Sequence, residues 1–337
     1  MATTTVMPRT DVVFRVGQVV EVRSAEEILA TLDENGEFDS LPFMPEMQQY
    51  CGRRLTVGKV ANKLCDTMTR SGMRRMDNAV HLTDVRCDGG GHGGCEAACL
   101  IYWKNVWLRP VEDNAGAIPT TTADVPTTVM LRLTDVSRRP DGPDGTERYR
   151  CQATELLRAA PDSLPFRSVG QYAEDLRFGN VGPVSVARAF VVGLFDRYQN
   201  HSRKVLPKAL WIRGGLPWGF LKGVEGKTPT GRLDLQPGES VRIKSKPEIE
   251  KTLNPDLLNR GMGFDAEMSR FCGRTARVAR RVDHIIDEHT GRMIYMKNPC
   301  IVLEGIVCEG AFNANCPRSI PAYWREIWLE RVGDPTG

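Results

Sequence analysis

Apolar and polar residues alternate in several short runs, and the same alternation occurs near both ends of the chain. In Val19-Val20-Glu21-Val22-Arg23 and in Ser240-Val241-Arg242-Ile243-Lys244, every second position is apolar, which predicts strands with one buried face. Runs rich in branched residues predict further strands at 55–60, 81–85, 276–282 and 300–306. Few helical runs interrupt these strands, so the pattern predicts a mainly β protein with some α structure, built as small barrels.

A signal for a helix start follows each of the first strands. Ser24 is followed three residues later by Glu27, and Ser245 by Glu248. In such a capping box the hydroxyl accepts a bond from a backbone N–H at the helix start, and the carboxylate reaches back to the cap residue. We therefore predict a short helix after each box, reaching Leu32 in the first case.

The two regions belong to an internal repeat with a constant offset. Adding 221 to a residue number in the first third of the chain gives its counterpart in the last third. The tripeptide Cys51-Gly52-Arg53, for example, corresponds to Cys272-Gly273-Arg274. Because one offset holds over about 95 residues, the pattern predicts a duplication. We expect a Cys-rich module 1 over residues 1–112 and a Cys-rich module 2 over residues 237–337.

The segment between the modules, residues 113–236, has a different pattern. It begins with a stretch rich in Thr, Ala and Pro at 115–128, which is typical of a linker. The other elements predicted for this mixed α+β segment are a β-hairpin from 129–133 and 148–155, and helices at 172–177 and 184–199. The last helix could pack in the core, or could dock on a membrane surface or on a partner.

The strand motifs of the modules resemble those of a known fold. Gly17 is followed by Val20-Glu21-Val22-Arg23, a later Gly precedes a Val-rich strand, and Trp107-Leu108 closes the module. This pattern resembles the SH3-like barrels of the nitrile hydratase β subunit and of the variable chain of ferredoxin–thioredoxin reductase. The whole chain is similar to an uncharacterised bacterial family of duplicated, Cys-rich proteins. The resemblance implies two SH3-like barrel modules flanking the middle segment, and it implies no particular activity.

Composition and charge exclude several classes of function. Of the 337 residues, 41% are hydrophobic and 26% are charged, so the chain can form a core and is not globally disordered. A net charge of +3 is too balanced to indicate nucleic-acid binding. No apolar run reaches the roughly 18 residues of a membrane span, and residues 1–9 lack the apolar core of a signal peptide. We therefore predict a soluble, cytoplasmic protein.

Cysteines are the residues that point to chemistry. The chain has ten, mostly in the two modules, which in a reducing compartment favours metal binding or reactive thiols over disulfides. In module 1, three of them flank His92 in a Gly-rich run. Thiolates and imidazole are ligands of zinc, and thiolates also hold iron–sulfur clusters. We predict a metal site in each module, with structural zinc preferred over an iron–sulfur cluster. The predicted ligands are Cys51, Cys87, Cys95, Cys99, Cys272, Cys300, Cys308 and Cys316.

Other interpretations of these residues stay open. Cysteine thiols are often buried as small apolar side chains, and some form redox pairs or disulfides. His92 could be a ligand, a reactive group, or an exposed side chain in a flexible loop. Cys65 or a histidine such as His81 could replace Cys99 as the fourth ligand in module 1.

These observations lead to one functional prediction and its rivals. We predict a metal–thiolate protein that acts as a binding or accessory component of a bacterial metabolic pathway, with a protein partner or a small-molecule substrate. The alternative is a metal- or cluster-dependent biosynthetic enzyme that uses the loop from Cys87 to Cys99, with His92 or His81 near an open coordination position. Nucleic-acid binding rests on fold analogy and is the least favoured. Nucleotide-binding loops, nucleophile elbows and zinc-protease motifs are absent from the sequence, so it defines no mechanism.

Overall fold

The computed structural model of the protein describes residues 12–111 and 133–333. The chain forms two compact units. Unit 1 takes the described residues up to Gly182 together with Ile285–Ile294, and unit 2 takes Pro183–His284 and the described residues from Tyr295 onward. The predicted middle segment is therefore divided between the units at residue 182, and the predicted linker at 115–128 lies outside the described residues. Strands and helices both occur, and the strands form several small sheets.

Unit 1 is built from short elements. Its strands are β1 (Val19–Val22), β2 (Glu37–Phe38), β3 (Leu41–Pro42), β4 (Arg54–Val60), β5 (Lys63–Cys65), β6 (Met73–Arg75), β7 (Ala79–Leu82), β8 (Trp103–Lys104), β9 (Leu108–Pro110), β10 (Arg138–Arg139) and β11 (Arg148–Tyr149). Its helices are α1 (Ala25–Leu29), α2 (133–137), α3 (Gln152–Ala159) and α4 (Gly170–Phe178), with 3₁₀ turns at Pro45–Tyr50 and Asn105–Trp107.

Unit 2 has a long helix and two long strands. Its helices are α5 (Pro183–Val205) and α6 (Lys246–Glu250), with 3₁₀ turns at Lys208–Leu210, Ile212–Gly215, Ala266–Arg270 and Glu326–Trp328. The remaining strands are β12 (Ser240–Ile243), β13 (Leu258–Asn259), β14 (Met262–Gly263), β15 (Thr275–Ile286), β16 (Met293–Leu303), β17 (Trp324–Arg325) and β18 (Leu329–Arg331). The ends of β15 and β16 that meet at their shared turn belong to unit 1.

The two main sheets have matching strand orders. One sheet has the order β8-β7-β4-β1-β9 and the other has the order β17-β16-β15-β12-β18. Val20 lies opposite Leu55 in the first sheet, and Val241 lies opposite Ala276 in the second. These partners differ by the same 221 positions that relate the two sequence regions. Over the residues that the structure describes, neither sheet closes into a barrel.

The predicted alternation is confirmed in β1, and aromatic residues form part of the core beside it. Val20 and Val22 are fully buried on one face of β1. Trp103 and Trp107 are also fully buried, and both pack edge-to-face on Phe43 with ring centroids 6.4 and 5.5 Å away. Such pairs combine a large apolar area with favourable ring geometry. In unit 2 the corresponding residues pack in the same way: Phe264, Trp324 and Trp328.

Both predicted capping boxes form, and the helices that follow them are shorter than predicted. Ser24 N donates to the Glu27 carboxylate at 3.1 Å, and Glu27 N donates to Ser24 Oγ at 3.3 Å. Ser245 N donates to the Glu248 carboxylate at 2.9 Å. The helix α1 ends at Leu29, which makes it a single turn fixed by its cap, because so short a helix has little stability of its own.

The predicted β-hairpin of the middle segment is wrong over most of the residues that the structure describes, and only residues 148 and 149 pair as a strand, with residues 138 and 139. Residues 148 and 149 form a strand, but Gln152–Ala159 form the helix α3. Gln152, Leu156 and Ala159 are buried, and their spacing of four and three residues is that of one helix face. Of the other predicted strand, residues 129–132 lie outside the described ranges and residue 133 is helical.

The two predicted helices of the middle segment are confirmed as α4 and α5. The helix α4 is tied to β5 by an ion pair between Lys63 Nζ and Asp175 Oδ2 at 2.6 Å. Neither side chain has exposed surface, so both charges have lost their contact with water and are stabilised by each other. Just beyond α4, the Asn180 side chain bonds to both backbone groups of Val60, at 2.8 and 2.9 Å.

The turn at 287–292 joins β15 to β16, and this end of the hairpin is part of unit 1. Ile286 N donates to Cys95 Sγ at 3.3 Å, and Tyr149 N donates to Gly291 O at 2.7 Å. Cys95, Tyr149, Ile286 and Met293 form a buried cluster. Residues nearly 200 positions apart in the sequence thus complete one small core.

Candidate metal site

The loop that follows Cys87 is closed by backbone pairing at its two ends. Arg86 and Leu100 form an antiparallel bridge, and Cys87 N donates to Cys99 O at 2.9 Å. Cys87 and Cys99 are therefore directly opposite each other, and the residues between them must fold back as a compact loop.

A glycine makes this fold possible. Within the loop, His92 N and Gly94 N both donate to Gly89 O, at 3.0 and 2.9 Å. Gly89 has a φ of +77°, and a Cβ at this position would lie 2.3 Å from the carbonyl oxygen of Cys95. Only glycine satisfies both the left-handed backbone and this close approach. The loop therefore returns on itself directly after Cys87 and carries His92 back toward it.

Three side chains of different chemistry converge at the loop. Cys87 Sγ lies 3.4 Å from His92 Nε2 and 3.2 Å from Glu46 Oε1. His92 Nδ1 lies 3.4 Å from Glu46 Oε1. One potential ligand atom from each residue lies within 4.8 Å of the other two. Among the His, Cys, Asp and Glu side chains in the described ranges, these three lie close enough together to hold a metal ion.

Two of the three residues are buried, Cys87 is half-buried, and the hydrogen bonding of the group is incomplete. His92 is 2% exposed and Glu46 is 8% exposed. His92 Nδ1 and Glu46 Oε2 are both buried and have no hydrogen-bond partner among the residues that the structure describes. A buried polar atom without a partner costs about 1–3 kcal/mol, and a cation bound between these two atoms would offset that cost.

The electrostatics of the group agree with this conclusion. Burial lowers the pKa of His92, which keeps the imidazole neutral. Burial, followed by the nearby charges of Glu46 and Cys99, raises the pKa of Cys87 far above that of an ordinary thiol. Without a cation, the thiol therefore keeps its proton beside a carboxylate. A metal ion reverses this preference, because thiolate and neutral imidazole are the forms that bind metals.

The donor set and its spacing fit one class of ion. Sulfur, nitrogen and oxygen together suit zinc, which accepts all three. Ligands of one tetrahedral zinc lie about 3.5 Å from each other, close to the 3.2 and 3.4 Å that separate Cys87 Sγ from its two neighbours. Three protein ligands would leave a fourth position for Cys99, water or a substrate.

Gly91 faces the carboxylate, and this contact gives a test of the site. A Cβ at Gly91 would lie 2.6 Å from Glu46 Oε2 and 2.7 Å from Pro45 Cδ. Gly91→Ala is therefore expected to displace the carboxylate and to lower metal affinity at least about tenfold, measured by calorimetric titration with Zn²⁺. Gly90→Ala is the control, because its Cβ would approach only the flexible Asp88 carboxylate, at 3.1 Å. Equal affinities in the two variants would contradict the prediction.

The other cysteines predicted as ligands in module 1 lie in three different environments. Cys51 is buried in the main apolar core of unit 1, and burial raises the pKa of its thiol to about 12. Cys95 accepts the Ile286 N–H in the small cluster beside the loop. Cys99 lies opposite Cys87, near enough for its charge to affect the Cys87 thiol. Cys87 is the one predicted cysteine that the structure brings into the group.

The predicted ligands of module 2 also lie in different environments. Cys300 is fully buried, and its Sγ lies 3.5 Å from Arg325 Nη1. Cys272 is half-buried at the edge of the core of unit 2, and burial raises its pKa to about 11. Cys308 N pairs with Ile320 O, and Cys316 is buried. In the described part of unit 2 these four cysteines do not form a metal-sized group, and their role as ligands stays a prediction.

The structure also shows where the three residues with alternative predicted roles lie. His92 is not an exposed side chain of a flexible loop, because the Gly89 turn buries it against Glu46. His81 is 1% exposed, its Nδ1 lies 2.9 Å from Ile101 O, and its ring packs on Tyr102. Cys65 is buried on β5. All ten cysteines lie in the described ranges as thiols rather than in disulfides.

Glu46 is the residue that sequence analysis missed. It lies 41 positions before Cys87, in a 3₁₀ turn outside the cysteine-rich run. Its counterpart at position 267 is also a glutamate. A charged residue kept in both halves of the repeat at a buried position was the available signal.

Two further findings bear on function. None of the helices in the described ranges combines the length and apolar character that crossing a membrane requires. No known protein family, curated protein or solved structure matches this chain, so its function has to be argued from the site itself.

Proposed function

We propose that unit 1 binds one zinc ion through Cys87, His92 and Glu46, and that the protein serves as a metal–thiolate binding or accessory component of a bacterial metabolic pathway. The observation that carries this proposal is the convergence of three ligand atoms, from buried Glu46 and His92 and from half-buried Cys87. Within the described part of the chain, His92 Nδ1 and Glu46 Oε2 have no hydrogen-bond partners, which supports it. An ion there would offset the cost of burying these groups, because buried polar atoms need a partner.

Zinc is favoured over an iron–sulfur cluster at this position. Iron–sulfur clusters are held mainly by several cysteine thiolates. The group supplies one thiol directly, and Cys99 is the nearest second one. A mixed sulfur, nitrogen and oxygen donor set is common for zinc.

An enzyme that uses the same loop is the second candidate. Three protein ligands with an open fourth position are typical of catalytic rather than structural zinc. Without a metal, the imidazole of His92 lies between the thiol of Cys87 and the carboxylate of Glu46. This order is that of a nucleophile, its base and an orienting carboxylate. The raised pKa of Cys87 opposes this metal-free use, because a catalytic thiol works as its thiolate.

Duplication and the SH3-like barrel belong to the same proposal. The shared strand order and the 221-residue offset of the two sheets support two copies of one ancestral module. The five strands of each sheet fit an SH3-like module. Membership of a duplicated Cys-rich family, a cytoplasmic location and a protein or small-molecule partner stay predictions.

Zinc binding by the full chain tests the proposal. After removal of metal with a chelator, the wild-type chain is expected to bind one Zn²⁺ in a calorimetric titration. Cys87→Ser and His92→Ala are each expected to lower the affinity at least about a hundredfold. Loss of a metal ligand should weaken binding more than loss of a residue that only hydrogen-bonds to a ligand, which costs about 10–100-fold.

Cys308→Ser is the matched control, since Cys308 has the equivalent loop position in unit 2 and its substitution should leave the affinity unchanged. Unchanged affinity in Cys87→Ser would refute the proposed site. Rapid alkylation of Cys87 at neutral pH in the metal-free protein, with no zinc binding, would favour the nucleophile instead.

A further inference from the structure

Unit 2 contains a loop with the same backbone hydrogen bonds as the loop of the proposed zinc site. Cys308 N donates to Ile320 O at 2.8 Å and closes the loop. Asn313 N and Asn315 N both donate to Gly310 O, at 2.9 and 2.8 Å. Gly310 has a φ of +67°, and a Cβ there would lie 2.4 Å from the backbone nitrogen of Cys316. The two loops therefore have the same local fold at positions 221 apart.

The side chains inside this second loop have changed. Asn313 stands where unit 1 has His92, and Ile320 stands where it has Cys99. The buried carboxylate is kept as Glu267, which is 4% exposed. The loop thus keeps the backbone, the thiol and the carboxylate but has lost the imidazole.

A guanidinium lies beside the retained carboxylate. Arg270 Nη1 is 3.1 Å from Glu267 Oε2, and Nη2 is 2.7 Å from Glu309 Oε2. The guanidinium also lies over the rings of Phe271 and Phe312, with centroids 5.9 and 5.8 Å away. Rings and carboxylates together hold a cation in place. Arg270 therefore supplies, from within the chain, a positive charge next to the carboxylate.

Unit 1 has a neutral residue at the equivalent position. This residue is Gln49, which is exposed and whose Nε2 donates to Glu46 O at 2.9 Å. Over residues 12–111 and 133–333, the carboxylate of Glu46 consequently keeps one oxygen without a hydrogen-bond partner, whereas both Arg270 and the Phe312 N–H bind the carboxylate of Glu267.

We propose that the loop of unit 2 is a former metal site in which the Arg270 guanidinium stands in place of the ion, and that Arg270 is what closes it to metals. This inference rests on the proposed zinc site of unit 1. A fixed positive charge excludes a divalent cation by repulsion, and it also uses the lone pairs of the carboxylate. The protein should therefore hold one ion per chain, although its sequence contains two cysteine-rich modules.

The first arm of the test transfers the arginine to unit 1. Gln49→Arg places a guanidinium beside Glu46, and it is expected to lower zinc affinity at least about tenfold by repulsion. Gln48→Arg adds the same charge one residue earlier, and it should leave the affinity near that of the wild-type chain. Because Gln49 is exposed, the substitution should not affect folding, which a thermal melt would verify.

The second arm removes the arginine from unit 2. In a chain whose first site is disabled by His92→Ala, the substitutions Arg270→Gln and Asn313→His are expected to restore binding of one Zn²⁺. A further variant adds Phe312→Gly, because unit 1 has Gly91 at this position. His92→Ala alone is the reference and should show only the weakened binding expected above, at least about a hundredfold below that of the wild-type chain.

The outcomes separate this inference from the function it rests on. A wild-type chain that binds no zinc refutes the proposed function. Zinc binding by the wild-type chain, with equal affinity in Gln49→Arg and Gln48→Arg, overturns the role of Arg270. Folded unit 2 variants that gain no zinc binding overturn the former-site inference. If these variants fail to fold, the comparison of Gln49→Arg with Gln48→Arg determines whether the inference stands.

Discussion

Replacement of Asp175 by asparagine is expected to lower the free energy of unfolding by about 3–5 kcal/mol, the range for removing one partner of a buried ion pair. The reason is that Lys63 would remain in a fully buried position without its counter-charge. Because small domains have a total stability of about 5–15 kcal/mol, much of the protein would be unfolded in mild denaturant. Urea unfolding followed by circular dichroism measures the change.

A neighbouring pair provides the control for this experiment. Arg75 and Glu174 lie 3.1 Å apart, but both side chains are partly exposed, so Glu174→Gln should cost less than about 1 kcal/mol. The double change Lys63→Met with Asp175→Leu should recover most of the stability, because it removes both charges together. A loss below about 1 kcal/mol in Asp175→Asn would contradict the prediction.

Zinc affinity is expected to rise steeply with pH. Burial raises the pKa of Cys87, with the charges of Glu46 and Cys99 adding to it, so the thiol is protonated throughout the neutral range and must release its proton when the metal binds. One proton released per ion gives about a tenfold gain in affinity per pH unit, or about a hundredfold between about pH 6.5 and about pH 8.5. Burial lowers the pKa of His92, so this residue is already neutral and adds no slope.

Proton release can be counted directly. Calorimetric titrations in buffers with different ionisation enthalpies should give close to one proton per Zn²⁺ for the wild-type chain. Cys87→Ser should lose this proton release along with most of its affinity. Affinity that is independent of pH in the wild-type chain would mean that the thiol of Cys87 is not a ligand.

Local pattern was sufficient to predict the strands, because the alternation of side chains on a strand links each residue to one face. Val20 and Val22 are buried as their spacing requires. The same reasoning fails at residues 152–155, the second half of the strand predicted over 148–155, because these residues begin the helix α3. In a short segment, the two-residue period of a strand and the 3.6-residue period of a helix both fit the apolar positions, and tertiary packing decides between them.

The candidate site could be predicted only in part. The Gly-rich run identified the loop that carries Cys87 and His92. Which other side chain would meet them depends on how the 3₁₀ turn at Pro45–Tyr50 packs against the loop, and no spacing within the run encodes this contact. Cys51 also recurs in the repeat, as Cys272, and the fold places it in the apolar core, which no sequence spacing encodes; its role as a ligand stays a prediction.

The end of the β15–β16 hairpin sets the order in which the protein can mature during synthesis. The small core around Cys95 and Tyr149 needs Ile286 and Met293, which leave the ribosome more than a hundred residues after the rest of unit 1. Most proteins complete each compact unit as its chain emerges, whereas here unit 1 must wait for translation of much of unit 2. Until then the apolar side chains next to the Cys87 loop stay uncovered, so the nascent chain passes through a stage at which chaperones and cellular oxidants can reach this part of unit 1.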